Sequence, residues 1–263
     1  MRIYPFLQAV RAKRPLVHHI TNWVTIFDCA QIVKSFGASP VMAHAPEEVA
    51  AMTGIASALV LNIGTLTTDV VEAMKKAAVA ANQKGIPVVF DACGAGATSY
   101  RDEKSLEILD SARIDVVKGN ASEIARVAGL AVATKGVDAG SVSADLAQVA
   151  QSLAAKRACT VVVTGPEDLI AGRGQVLRVR NGHAMMGNLV GTGCMAASVI
   201  GTFAGASPDH LPEAAAAGLA CFEIAAEQAA AKTHGPAAFK QQLFDCVFTL
   251  DEEQVERMQK VSA

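Results

Sequence analysis

Residues 188–206 read NLVGTGCMAASVIGTFAGA: an apolar lead-in, the turn Gly191-Thr192-Gly193-Cys194, and then a run of small and apolar residues. Two glycines a residue apart remove the Cβ atoms that hold a backbone away from a ligand, and they permit dihedrals that other residues avoid. Met195 to Ala206 has the composition of a buried helix, so its first unpaired N–H groups and about half a positive charge point into the glycine turn. That is an anion site. The one reactive side chain placed there is Cys194, in the first turn, where a helix N-terminus tends to lower a thiol's pKa. Taken alone, the stretch reads equally well as a tight turn before a core helix, because short glycine motifs recur by chance. Its surroundings decide between the two.

Working upstream, residues 58–63 form a continuous apolar strand ending in Gly64-Thr65, the pattern of a buried parallel strand whose C-terminal end opens into a loop. Residues 67–84 keep a helical apolar period and stop at Gly85. The next strand, 86–90, runs into Asp91-Ala92-Cys93-Gly94-Ala95-Gly96-Ala97-Thr98, a second glycine-rich turn carrying one carboxylate. Residues 115–117 are a strand ending in Lys118-Gly119-Asn120-Ala121-Ser122-Glu123, with a helix over 124–128. Capping explains Asn120 and Glu123. Lys118 has no such explanation. Residues 160–163 are a strand closing on Thr164-Gly165, and 168–170 with 176–179 read as a hairpin at the sheet edge.

Nearer the N-terminus, a short amphipathic helix stops before Pro15; a strand over 16–20, a helix over 26–36 ending at Gly37 and an extended piece over 40–43 follow. A further helix is expected over about 46–52. His18 and His19 are strand neighbours facing opposite sides, so they cannot chelate one ion. After residue 206 the pattern is helical to the end: 214–232, 237–248 and 252–259. With 263 residues and no linker or composition shift, a single α/β domain over 1–263 is expected.

Strands alternating with helices argue for a mostly parallel central sheet with helices on both faces and a helical C-terminal region. The ends of parallel strands meet along one edge, where ligands bind. That edge gathers Asp91, Lys118, Asn120, Glu123, Thr164 and the Gly191–Cys194 turn. Carboxylates for Mg²⁺, a cation for phosphate and a helix N-terminus for a phosphoryl group are the inventory of phosphoryl transfer. No Walker sequence occurs, which excludes a P-loop kinase. The near balance of 23 Lys and Arg against 25 Asp and Glu leaves no footprint for nucleic acid or a membrane surface. The six cysteines are scattered with no C-x-x-C pair, so they read as free thiols of a soluble cytoplasmic protein, with no signal peptide or spanning segment expected.

HHITNWVT (18–25), GASPVMA (37–43), LNIGTL (61–66), DACGAGAT (91–98), KGNASEI (118–124), KGVDAG (135–140), TGPED (164–168), GTGC (191–194) and HGPAAF (234–239) stand in one order. In that order and spacing the chain resembles the hydroxyethylthiazole kinases, thiamine-salvage enzymes of the ribokinase-like fold. The resemblance implies ATP- and Mg²⁺-dependent phosphorylation of the primary alcohol of 4-methyl-5-(2-hydroxyethyl)thiazole by a homotrimer with active sites between subunits. It implies a thiazole pocket at Met42 and Asn22, contact of Gly191 with the substrate alcohol and the transferring phosphoryl group, ATP contacts at Lys118, Thr164 and Asn120, and Asp91 and Glu123 beside the metal. Cys194, the catalytic position, stands where related sugar kinases carry a general-base aspartate. Because phosphoryl transfer is governed by positioning and charge, a supporting role is expected for it.

Several positions depart from the family pattern. Lys118 stands where Arg is usual, Ala92-Cys93 where Pro-Val is usual, Phe27 and Gln31 where asparagines are usual, and Pro166 where Glu is usual. These leave open a kinase of another small alcohol or a non-catalytic nucleotide- or thiazole-binding homologue. ATP binding without ADP production would mark the latter. A nucleotide-dependent dehydratase of the same fold is expected to carry Asp at position 194.

Overall fold

The computed structural model describes residues 1–130 and 143–263; the block at 135–140 lies outside them. Its elements are α1 (Tyr4–Lys13), β1 (Leu16–Ile20), α2 (Ile26–Ser35), β2 (Ser39–Val41), α3 (Val49–Ile55), β3 (Ala58–Asn62), α4 (Thr68–Lys84), β4 (Val88–Asp91), α5 (Ser99–Ser111), β5 (Val116–Asn120) and α6 (Ala121–Val127). The second half adds α7 (Ser143–Arg157), β6 (Thr160–Thr164), β7 (Asp168–Gly172), β8 (Gln175–Val179), α8 (Thr192–Ala206), α9 (Leu211–Lys232), α10 (Pro236–Thr249), α11 (Glu252–Met258) and β9 (Val261–Ser262). Among the described residues one sheet of nine strands runs in the order β2-β1-β3-β4-β5-β6-β7-β8-β9. From β2 to β6 every pairing is parallel; β7, β8 and β9 continue antiparallel.

Both faces are covered, which is why the strands read as apolar runs without alternation. Leu59, Leu61, Val88, Phe90, Val117 and Val161 pack with buried residues of α4 to α7. Val60, Val89, Val116 and Val162 point the other way, into a core with α1, α2, α8, α9 and α10. Among the described residues no helix is long and apolar enough to cross a membrane.

Small residues bring α8 onto the sheet. A Cβ on Gly201 would lie 2.3 Å from Val60 Cγ2, one on Gly205 3.2 Å from Ala58 Cβ, and one on Gly218 of α9 3.1 Å from Val199 Cγ1. The glycines and alanines of 195–206 therefore set the height at which α8 crosses β3 and β1.

The structure moves several expected boundaries. The helix expected over 46–52 is α3, starting at Val49, because Pro46 to Glu48 form a turn in which the N–H groups of Glu48 and Val49 both donate to Ala45 O, at 3.0 and 3.1 Å. The strand expected from 86 begins at Val88: Ile86 N–H is spent closing the end of α4 on Ala81 O, at 3.1 Å, and Pro87 has no N–H to give. The strand 115–117 extends to Asn120, so Lys118 is a strand residue level with Asp91. The β7–β8 hairpin is not the sheet edge and the chain is not helical to its end, because Val261–Ser262 adds β9 beyond β8. Helix α5 was not assigned from the sequence; its buried side is a thin stripe of Ser105, Ile108 and Leu109.

Replacing Gly201 by Ala is expected to destabilise the fold by about 1–3 kcal/mol, since the stiff Val60 side chain leaves the new methyl no room. Gly54→Ala, at an exposed position with nothing near its Cβ, is expected to stabilise by about 0.5–1 kcal/mol. Urea unfolding of the two variants checks both signs.

Candidate active site

Parallel strands release their chains at one edge, and α8 aims its N-terminus at that edge. Asp91 ends β4 with no exposed surface. Its Oδ1 accepts a hydrogen bond from Lys118 Nζ at 3.1 Å and its Oδ2 one from Asn62 Nδ2 at 2.6 Å. Burial raises the Asp91 carboxyl to about 7, against the pull of Lys118. For Lys118, burial works against the ammonium, but Asp91 and Glu123 outweigh it and hold the pKa above its ordinary value. The pair is buried and charge-complementary.

Directly over it lies the glycine turn. Gly191 has φ +95°, and a Cβ there would meet Thr25 Cγ2 at 2.5 Å, so backbone conformation and contact both demand glycine. A Cβ on Gly193 would come 3.3 Å from Lys118 Nζ. The ammonium therefore sits under the first turn of α8, and its charge adds to the helix dipole. Cys194 lies in that turn, with α8 beginning at Thr192 rather than Met195. Its Sγ accepts from Asn22 Nδ2 at 3.2 Å and Asn62 Nδ2 at 3.4 Å. The thiol is pushed down to about 5, first by the hydrogen bond from Cys93 and, against its own burial, by Thr25, Lys118 and Asn22.

Asn22 and Asn62 tie these pieces together. Asn22 Nδ2 donates to Asn62 Oδ1 at 3.0 Å, while its own Oδ1 accepts from Thr25 N at 3.1 Å and Thr25 Oγ1 at 3.0 Å. Glu123 links the second glycine turn to β5: Oε1 accepts from Gly94 N at 2.8 Å and Oε2 from Asn120 N at 2.7 Å. Asn120 Oδ1 returns the bond to Glu123 N at 2.9 Å, completing a capping box on α6. Thr164 Oγ1 donates weakly to Gly119 O at 3.4 Å across β5 and β6. Met42, half-buried, follows β2 in a loop anchored from behind by His18, whose Nε2 meets Ala43 O at 2.7 Å and Nδ1 meets Thr53 Oγ1 at 2.9 Å. His19 is buried and pushed down to about 3, so it is neutral. Both ring nitrogens of His18 are thus taken up within the protein, and His19 Nδ1 meets Val17 O at 3.1 Å.

Asp91, Lys118, Glu123, Asn22, Gly191 and Cys194 thus converge, with Thr164 and Met42 on opposite flanks. Phe27 is outside this group: it is 71% exposed. Two residues that sequence reasoning passed over belong to the group. Asn62 donates to both Asp91 and Cys194; a single amide at the end of an otherwise apolar strand was its signal. Arg101 clamps two loops, donating from Nη1 to Ile63 O at 2.8 Å and Cys93 O at 3.1 Å and from Nη2 to Gly64 O at 2.8 Å. Nothing in its polar surroundings singled it out.

A cleft of about 590 Å³ opens beside the turn, lined among others by Thr164, His183, Thr192, Gly193, Leu219 and Phe222. It offers helix-terminal N–H groups at one end and apolar walls at the other, which suits a nucleotide. A cavity of about 580 Å³ at the opposite ends of the strands, by Asp115, Cys159 and Arg173, holds none of the converging residues. Among the described residues no three His, Cys, Asp or Glu side chains come together as a metal-ligand set.

Fold and site together define a small-molecule kinase of the ribokinase-like class. A solved ribokinase-like superfamily protein from Enterococcus faecalis V583 superposes with a TM-score of 0.64 at 15% identity, over 88% of this chain and 86% of that one, a likeness of fold alone. The hydroxyethylthiazole kinase family model matches residues 7–253. The hydroxyethylthiazole kinase of Methanosarcina mazei is 55% identical over 255 residues, 97% of each chain, and the structure of that of Pyrococcus horikoshii OT3 superposes with a TM-score of 0.91 at 37% identity, over 99% and 98%. The chain belongs to the hydroxyethylthiazole kinase family.

Iodoacetamide is expected to alkylate Cys194 first. Because its thiolate exists above about pH 5, the rate climbs through that pH and is flat by neutrality. Cys29, pushed up to about 11, and Cys159 and Cys221, to about 12, all by burial, stay unreactive there. A Cys194 rate that rises only near pH 9 contradicts this; peptide mapping after timed alkylation reads it.

Proposed function

We propose that the chain transfers the γ-phosphoryl group of ATP to the primary alcohol of 4-methyl-5-(2-hydroxyethyl)thiazole, in thiamine salvage. The observation that carries this reading is Lys118 held by Asp91 beneath the Gly191–Cys194 turn. Phosphoryl transfer needs little covalent help and much fixed charge, and here an ammonium and a helix N-terminus are already aimed at one point. ATP lies along the cleft at Thr164 and Gly193, with Asn120 at its rim. The thiazole lies on the other side, between Met42 and Asn22, with its hydroxyl at Gly191.

The donor set fits Mg²⁺: Asp91 and Glu123 supply hard oxygens, each already accepting two hydrogen bonds, so most of the ion's shell is left to water and phosphate oxygens. A divalent ion held by these two carboxylates would supply neutralisation of charge on the phosphoryl oxygens. Asn22, Asn62 and Thr25 fix the Cys194 thiol, and Lys118 and the first N–H groups of α8 hold phosphate charge. A thiol pushed down to about 5 is ionised at neutrality but is a weak base, which keeps Cys194 in a supporting role.

The active unit is a homotrimer with sites between subunits. Trp23, Val24, Phe27 and Val190 are exposed and flank the Thr25–Gly191 contact, so an apolar surface borders the substrate side, and a second copy covering it would also enclose the thiazole. Residues 1–263 act as one domain around one sheet, and the free thiols fit the cytoplasm.

ADP release with ATP and Mg²⁺ tests the reading: turnover is expected with the thiazole alcohol and not with hydroxymethylpyrimidine, pyridoxal or ribose. Cys194→Ala is expected to keep turnover within about 100-fold of wild type; abolition with substrate binding intact contradicts the supporting role. Sedimentation is expected to give a trimer, and a monomer at assay concentration removes the shared site.

A further inference from the structure

The wall of the nucleotide cleft holds two carboxyl groups that phosphoryl transfer leaves unused. Asp168 opens β7 and is 2% exposed; Glu223 stands on α9 and is 7% exposed; both line the cleft that Thr164 and Gly193 also line. Neither is fully satisfied by the protein. Asp168 Oδ1 accepts from Gly165 N at 2.9 Å, but its Oδ2, like Glu223 Oε2, has no hydrogen-bond partner among the described residues. Buried oxygens left without a partner are rare, because each gives up its hydration for no new bond. Gly182 bears on Glu223 directly: its φ is +109°, and a Cβ there would rest 3.6 Å from Glu223 Cδ and 3.8 Å from Oε2. The turn at 182, itself part of the cleft wall, thus keeps a side chain off that carboxyl.

Position and chemistry select the part of a nucleotide that fits. Asp168 lies two strands along the sheet edge from Lys118, β7 against β5, which is about 10 Å across the sheet. A triphosphate with its terminal phosphate at Lys118 covers that span before its sugar, and the base lies farther out. Burial raises both carboxyls and pushes Glu223 up to about 11, with the Asp168 charge adding to it. Glu223 is therefore a neutral acid at neutrality, able both to donate and to accept. A hydroxyl does both in return, whereas the exocyclic amino group of a base only donates. Two such carboxyls in one wall match two vicinal hydroxyls. We propose that Asp168 and Glu223 bind the ribose 2′- and 3′-hydroxyls of the nucleotide and select ribonucleotides over deoxyribonucleotides. The placing of the nucleotide, with its phosphates at the glycine turn, rests on the phosphoryl-transfer reading of this site.

Calorimetry on the full-length protein with ATP, 2′-deoxyATP, 3′-deoxyATP and inosine triphosphate, each with Mg²⁺, tests this without needing turnover. Each deoxy analogue is expected to bind about tenfold or more weakly than ATP, the loss of one hydrogen bond to a carboxyl, and inosine triphosphate as well as ATP. Glu223→Met removes the acid and nearly keeps its volume; ATP affinity is expected to fall toward that of the deoxy analogues, the ratio shrinking to about twofold or less. Asp168→Asn is expected to shrink it in the same direction. Thermal unfolding without nucleotide checks that each variant is folded. Equal binding of ATP and both deoxy analogues by the unsubstituted chain, or a ratio unchanged in Glu223→Met, overturns the proposal. So does a loss confined to inosine triphosphate, which puts the carboxyls at the base, and so does the binding of no nucleotide at all. ADP release with the same nucleotides separates the two claims. Ribose-selective binding without turnover of the thiazole alcohol overturns the phosphoryl-transfer reading and leaves the diol site standing; turnover with equal kcat/KM for ATP and both deoxy analogues does the reverse.

Discussion

A carboxylate without solvent contact stands next to an ammonium that is nearly as buried, and the edge of the sheet is arranged around that fact. Burying either charge alone costs several kcal/mol or more. Asp91 is tolerated because Lys118 and Asn62 each satisfy one of its oxygens; Lys118 is tolerated because Asp91 and Glu123 surround it. Apolar replacements often stabilise a fold at such a place, so the pair is better understood as a device for holding a cation under a helix N-terminus. Linkage gives the same sign. Asp91 holds its proton to about 7 in the folded chain, above the ordinary 3.8, so its ionisation takes stability away as pH rises between those values. The site keeps a strained carboxylate because the cation needs it.

That device works only if α8 arrives at the right height. Gly201 against Val60 and Gly205 against Ala58 let the helix sit nearly on the strands, Gly218 lets α9 close on it at Val199, and at its other end Gly191 turns the chain against Thr25. From there the hydrogen bonds run from Thr25 to Asn22, from Asn22 to Asn62 and Cys194, and from Asn62 to Asp91. Packing in the core and polarity at the edge are thus one constraint: a helix lifted off the sheet would lose both its contacts and its place over Lys118.

Much of this was legible because strand ends in a parallel sheet converge. Apolar runs followed by turn residues marked β3, β4, β5 and β6, and the odd residues at their ends were Asp91, Lys118 and Thr164. Residues whose roles are set across the fold were not legible. Arg101 acts on backbone carbonyls of two loops, which no sequence spacing encodes, and Asn62 was hidden as the last residue of a strand. Helix α5 carries too few apolar residues to show its period, and β9 is two residues long. Asn120 and Glu123 read as a capping box and are one; that same geometry leaves Glu123 beside Lys118, where its charge also acts on the ammonium.

The dependence of the site on its buried pair is tested most directly by a double-substitution cycle in ADP release with ATP and the thiazole alcohol, using Asp91→Asn, Lys118→Met and both together. If carboxylate and ammonium act as one unit, the double variant is no slower in kcat/KM than the worse single variant, a coupling of about 1–3 kcal/mol. Losses that multiply, with the double variant slowed by the product of the two, would contradict that dependence and leave Asp91 and Lys118 as independent contributors.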